Sequence, residues 1–167
     1  MGNLRTEFKE LPSRERGKKQ MIRKFATLAH SHEASIRDSF ARQTMMHTLG
    51  AELIAVQAGS CTLRALIAPH VRQQHGAAHA ALAFALGDTA AGYAALSTMP
   101  EGVEVMTAEI KINLLSPAVG DALEAVGTVV RAGRRLTIVT AEVFALSGTQ
   151  RKQVALLQGT MVPVDPA

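Results

Sequence analysis

Residues 73–93 read QQHGAAHAALAFALGDTAAGY, and this stretch decides how the rest of the chain is read. Ala and Leu, the strongest helix formers, dominate it from Ala77 onward, which predicts a helix running to about Ser97 despite Gly87 and Gly92. Apolar residues occur all round that helix. A helix without a polar face has to be wrapped by other structure, so it belongs at the centre of the fold. One carboxylate, Asp88, interrupts the apolar run. An ionised side chain buried without a partner is costly, so Asp88 is either an acid that faces water or a candidate reactive group.

The flanks supply the wrapping. Upstream, residues 34–49 carry Ile36, Phe40, Met45 and Met46 among polar and charged neighbours, a helical stripe that stops at Gly50. Residues 51–58 and 61–68 are separated by Gly59 and Ser60, and Cys61, Leu63, Ala65 and Ile67 alternate with their neighbours, which predicts a β-hairpin. Beyond Pro100 and Gly102 lie four β-rich segments, 103–115, 122–131, 135–146 and 151–164, broken at Ser116-Pro117 and Gly120, at Gly133, and at Ser147-Gly148. Glu109, Lys111 and Asn113 against Ile110, Ile112 and Leu114 describe a strand with one polar and one dry face. Short breaks between successive strands predict an antiparallel meander. The expected fold class is α+β, a curved sheet wrapped around one long helix.

At 167 residues and 47% hydrophobic composition the chain suits one compact domain. The formal charge of +4 is unevenly spread: residues 1–24 hold eight Lys or Arg against three acids, and the remainder ten against eleven. Basicity therefore belongs to an N-terminal extension, taken as residues 1–33 and expected to be flexible, ahead of a domain over 34–167. That extension lacks the apolar run of a secretory signal. With no Trp and 4% aromatic residues the chain lacks the stacking platforms of single-stranded nucleic-acid readers, so no nucleic-acid partner is expected. Residues 77–96 are long enough to cross a membrane, but His79 and Asp88 interrupt them, and they read as a buried helix of a soluble, cytoplasmic protein. Cys61 is the only cysteine, which excludes an internal disulfide and fits a reducing compartment; with no adjacent His it reads as a packing residue. The His residues lack metal-site spacing, so neither metal nor cofactor is expected.

Several of these features occur together in a known family. His79 precedes Asp88 by nine residues and Thr89 follows it; Ala91-Gly92-Tyr93-Ala94-Ala95, the strand from Thr107 into Ser116-Pro117-Ala118, and Val129-Val130-Arg131-Ala132-Gly133-Arg134 come in order behind. In this the chain resembles the hotdog-fold acyl-CoA thioesterases of the PaaI-like (phenylacetic acid degradation) group, over about residues 36–164. The resemblance implies a hydrolase acting on an aryl- or medium-chain acyl-CoA. It makes Asp88 the general base or nucleophile and points the amide of Ala80 at the thioester oxygen. Gln73 then orients the thioester or water, with Gln74 beside it as the alternative, and Thr107 helps hold the attacking water. By residue type alone Thr107 is equally a β-branched strand residue. Gly76 and His79 are assigned to substrate binding, His79 in a helix-starting, supporting role.

Arg131, Arg134 and Arg135 are either a clamp for the phosphates of coenzyme A or an ordinary solvated turn. The family usually carries Gly-Gly after the His, and Ala80-Ala81 here keep both N–H groups while adding methyls beside the acyl path. The resemblance further implies a homodimer or a homotetramer built as a dimer of dimers, with each active site at a subunit interface. The rival from another class is a non-catalytic acyl-CoA-binding hotdog module, which keeps the fold and does not need Asp88.

Overall fold

The computed structural model describes residue 25 and residues 27–166. The basic residues 1–24 lie outside them. Two short helices, α1 (His30–Ala41) and α2 (Thr44–Thr48), precede the hairpin β1 (Ala51–Gln57) and β2 (Ser60–Leu66). A 3-10 turn (Pro69–Val71) and a polar loop lead into the long helix α3 (Ala80–Leu96), and four strands follow: β3 (Glu104–Leu114), β4 (Ala122–Ala132), β5 (Thr137–Ser147) and β6 (Gln150–Val164).

All six strands form one antiparallel sheet in the order β1-β2-β4-β5-β6-β3. The expected fold class therefore holds, while the meander holds only from β4 to β6. Strand β3 pairs with β6 at the far edge, not with β4. Seven residues, 115–121, connect β3 to β4, and an extended chain of that length reaches up to about 23 Å. Three strand spacings come to about 14 Å, so the crossover is within its reach.

The predicted helix over 34–49 also differs. The chain breaks at Arg42 and Gln43, where Gln43 has extended backbone (φ −78°, ψ 97°) and its side chain turns inward to donate to Tyr93. Polar residues 30–33 give no apolar rhythm, yet the first helix begins at His30. Its buried residue is Ile36, and Phe40 meets the Tyr93 ring edge-on, with centroids 6.0 Å apart.

Small side chains let α3 lie close on the concave face of the sheet. Ala90, Ala91, Ala94 and Ala95 are fully buried. Gly127 of β4 passes so near the helix that a β-carbon there would collide with the Ala90 carbonyl, and one at Gly87 would lie 2.7 Å from Leu157 Cδ1. Overpacking of this kind typically costs 1–3 kcal/mol. Gly127→Ala is accordingly expected to lower stability by about 2 kcal/mol, seen as a lower denaturant midpoint at unchanged slope.

The wrapping is incomplete. Ala81 and Phe84 are exposed and Ala85, Asp88 and Gly92 half-buried, a stripe at helical spacing that the sheet leaves open. The uncovered side of the apolar helix is the side that carries Asp88.

Candidate active site

Asp88 sits mid-helix because Ala and Leu hold the helix through it, and its side chain leaves the open stripe toward edge strand β3. There Thr107 Oγ1 donates to Asp88 Oδ1 at 2.8 Å and lies 3.3 Å from Met161 Sδ. Thr107 stands immediately before a bulge at Ala108, where the register with β6 slips between Thr107 and Glu109. The bulge separates the Thr107 end of β3 from the alternating Ile110 and Ile112. Asp88 and Thr107 line a cavity of about 190 Å³ together with Tyr93, Gln43, Ser39 and Glu104.

The start of α3 lines a different and larger cavity of about 500 Å³, with Gln73, Gln74, His79 and Ala80 on one side and Leu114, Leu115, Ser116 and Pro117 on the other. His79 is the N-cap: its Nδ1 accepts the Ala81 amide at 3.0 Å, which places the proton of a neutral ring on Nε2. The Ala80 amide donates to no acceptor among the described residues. An exposed, unpaired N–H at the positive end of a seventeen-residue helix is suited to an oxygen that gains negative charge. Gly76 lines neither cavity. It adopts φ +84° in the turn whose bonds, Gly76 N–H to Gln73 O at 3.0 Å and Gln73 N–H to Ala77 O at 2.9 Å, set the loop that presents Gln73.

Within one chain these two groups do not meet. Asp88 lies eight residues beyond Ala80, about 12 Å along the helix. Arg131, Arg134 and Arg135 are exposed around the β4–β5 turn, outside both cavities and without an ion pair among the described residues. Through the register Ala132↔Thr137↔Met161↔Thr107 that turn is level with Thr107, three strand spacings or about 14 Å away.

Ser39, Gln43 and Glu104 were not legible as site residues. Ser39 and Gln43 belong to the polar side of a stripe read for its apolar side, and Glu104 opens a strand that alternates clearly only further along. Burial pushes the Cys61 thiol up to about 12, an effect that nearby Arg37 only partly offsets, so Cys61 stays protonated at neutral pH and packs in the core. Among the described residues no three His, Cys, Asp or Glu side chains are grouped to hold a metal ion, and no helix is long and apolar enough to cross a membrane.

Comparison with known proteins bears on the same elements. A family model described as the thioesterase superfamily matches residues 75–152, from the polar loop into β6. A solved thioesterase family protein from Silicibacter pomeroyi is 36% identical, with 81% of this chain aligned to 99% of that one at a TM-score of 0.78. A conserved protein from Pseudomonas aeruginosa is 30% identical over 73% of this chain and 94% of its own, with a TM-score of 0.67. The PaaI protein of the E. coli phenylacetic acid degradation operon shares the fold, with a TM-score of 0.74 at 23% identity over 84% of this chain and 98% of that one. Among curated protein sequences no match was found. A sheet curved around one buried helix, a family match spanning the helix and the strands behind it, and a 36% identical relative covered almost end to end together place the chain in the thioesterase superfamily, with the hotdog fold.

Proposed function

We propose that this protein is a cytoplasmic acyl-CoA thioesterase that hydrolyses aryl- or medium-chain acyl-CoA, with Asp88 as general base or nucleophile and the start of α3 as the oxyanion site. The observation that carries the reading is the 2.8 Å bond from Thr107 to a half-buried carboxylate on the open side of the helix. With Oδ1 fixed by that bond, Oδ2 is the oxygen left to act. As a base it takes a proton from water, whose oxygen attacks the thioester carbon. The carbonyl oxygen becomes negative against the Ala80 amide, and collapse expels the thiolate of coenzyme A, which takes up the proton. As a nucleophile, Asp88 Oδ2 attacks the thioester carbon and expels the coenzyme A thiolate, leaving a mixed anhydride that water cleaves to the free acid and the restored Asp88 carboxylate.

Separation of the two groups by about 12 Å in one chain supports a site made by two subunits, since reacting atoms have to approach to about 3 Å. Strand β3 supports the same assembly. It is an eleven-residue edge strand with Met106 and Leu114 both 59% exposed, beside the open stripe of α3. A long edge strand that exposes large apolar side chains invites pairing with a second copy. In a homodimer, or a dimer of dimers, Asp88 of one subunit would serve Ala80, Gln73 and Gln74 of the other. The guanidiniums of Arg131, Arg134 and Arg135 are the candidates for the coenzyme A phosphates.

Thiol release from a panel of aryl and straight-chain acyl-CoAs tests the reading. Turnover on aryl or medium-length members is expected; acyl-CoA binding with no turnover on any member would replace the enzyme with a non-catalytic binding module. Thr107→Val, which keeps shape and removes the donor, is expected to lower kcat about tenfold, as loss of a hydrogen bond to a charged group would. Thr107→Ser should restore most of it.

A further inference from the structure

Besides Asp88, Thr107 meets the sulfur of Met161. The two residues are direct cross-strand partners on β3 and β6, and Met161 is fully buried. Ile110 and Ile112 pack against the core, so Glu109, Lys111 and Asn113 face away from it, and strict alternation would put Thr107 on their side. The extra residue at Ala108 reverses the parity. Thr107 therefore turns inward, where Asp88 and Met161 both reach it. Its hydroxyl carries one proton, while a carboxylate oxygen and a thioether carry none. With Asp88 Oδ1 at 2.8 Å and Met161 Sδ at 3.3 Å, two acceptors face a single donor.

A charged oxygen is much the stronger of the two acceptors, so in the resting site the proton belongs to Asp88. The balance changes when Asp88 reacts. As a base it gains a proton on Oδ2, and as a nucleophile it gains an acyl group there. Either way Oδ1 becomes a neutral carbonyl oxygen, and hydrogen bonds to neutral groups are worth about half those to charged ones. A hydroxyl with no second acceptor would keep pointing at that weakened partner. Thr107 can instead turn about its Cβ–Oγ1 bond toward the sulfur, and no bond to its proton breaks. Turning also brings a lone pair of Oγ1 round to the side the proton has left, where it can accept from water.

Resting on the hydrolytic reading of Asp88, we infer that Met161 is a positioning residue whose sulfur takes the Thr107 proton as Asp88 loses its charge. The contact is weak in the resting site and strengthens as the carboxylate reacts, so it favours the transition state over the ground state. Packing alone does not call for sulfur here. The core cluster around Met161 includes Val139, Val143 and Leu157, and leucine in its place would conserve volume. What leucine lacks is an acceptor within reach of Thr107.

The test is a double-substitution cycle on acyl-CoA hydrolysis, with rates referred to the folded fraction found by denaturant titration. Met161→Leu is expected to lower kcat about threefold, the low end of what one neutral hydrogen bond contributes, and to leave KM within about twofold, because the resting bond from Thr107 to Asp88 is unchanged. Met161→Ile, a second apolar variant, should do the same. Added to Thr107→Val, either substitution should cost nothing further, since no hydroxyl is left to turn. A side chain that acts by packing alone would cost about threefold in both backgrounds. An unchanged kcat in both single variants, a change in KM instead of kcat, or a loss that repeats in full on Thr107→Val would overturn the inference while Asp88-dependent hydrolysis stands. If no acyl-CoA is hydrolysed in an Asp88-dependent way, the hydrolytic reading falls and the inference with it.

Discussion

Asp88→Asn is expected to lower kcat for the proposed acyl-CoA hydrolysis by at least about a hundredfold, the scale of losing a catalytic base, and to leave KM within a few-fold. The substitution removes the negative charge and the capacity to take a proton, or to attack, while keeping the shape of the side chain. The amide oxygen of Asn still accepts from Thr107 Oγ1, the bond that sets the native carboxylate at 2.8 Å. Asp88 lies on the stripe of α3 that the sheet leaves open, so the core around Leu86, Ala90 and Ala91 is untouched and the melting temperature should change little. A loss in kcat with the fold retained separates chemistry from damage. Activity close to wild type would assign Asp88 to the water-facing acids.

Ala80→Pro is expected to have an effect of similar size for a different reason. Proline at the first position of a helix removes an N–H that no intrahelical carbonyl can use, and its fixed φ suits the position. His79 already has φ −65° and ψ 143°, the extended backbone that a residue before proline prefers. Ala80 is exposed, so the ring has room. What disappears is the one amide proposed to meet the thioester oxygen, and removing a single oxyanion donor costs about a hundredfold or more in kcat. Ala80→Gly, which keeps the N–H, should remain within about threefold of wild type. If proline and glycine behave alike, the start of α3 does not hold the oxyanion.

Much of the fold could be read from the residues because the strand breaks carry Gly and Pro and the central helix is nearly all Ala, Leu and Gly. Pairing partners were not legible in the same way. Nothing in residues 103–115 says whether that strand joins β4 or crosses to β6, since either neighbour satisfies its alternation of Ile110 and Ile112 with Lys111 and Asn113. The open side of α3 was hidden because Ala81, Phe84 and Ala85 look like core in sequence, and they are bare only because the single sheet packs on the other side of the helix. Asp88 stood out chemically, as a lone acid in an apolar run, and its partner Thr107 came from family resemblance rather than from any local signal. Ser39, Gln43 and Glu104 come together only when α1 packs beside β3, a contact between segments more than sixty residues apart in the chain.

The proposed site combines Asp88 of one subunit with a thioester held by the helix start of another. Co-expressing Asp88→Asn with Ala80→Pro and assaying the assembled mixture tests it directly. Each parent alone is expected to be nearly inactive. In a random mixture about one site in four takes Asp88 from the proline subunit and Ala80 from the asparagine subunit, so about a quarter of wild-type activity should return. A mixture shown to contain both chains in one assembly, yet no more active than its parents, would contradict a site shared between subunits.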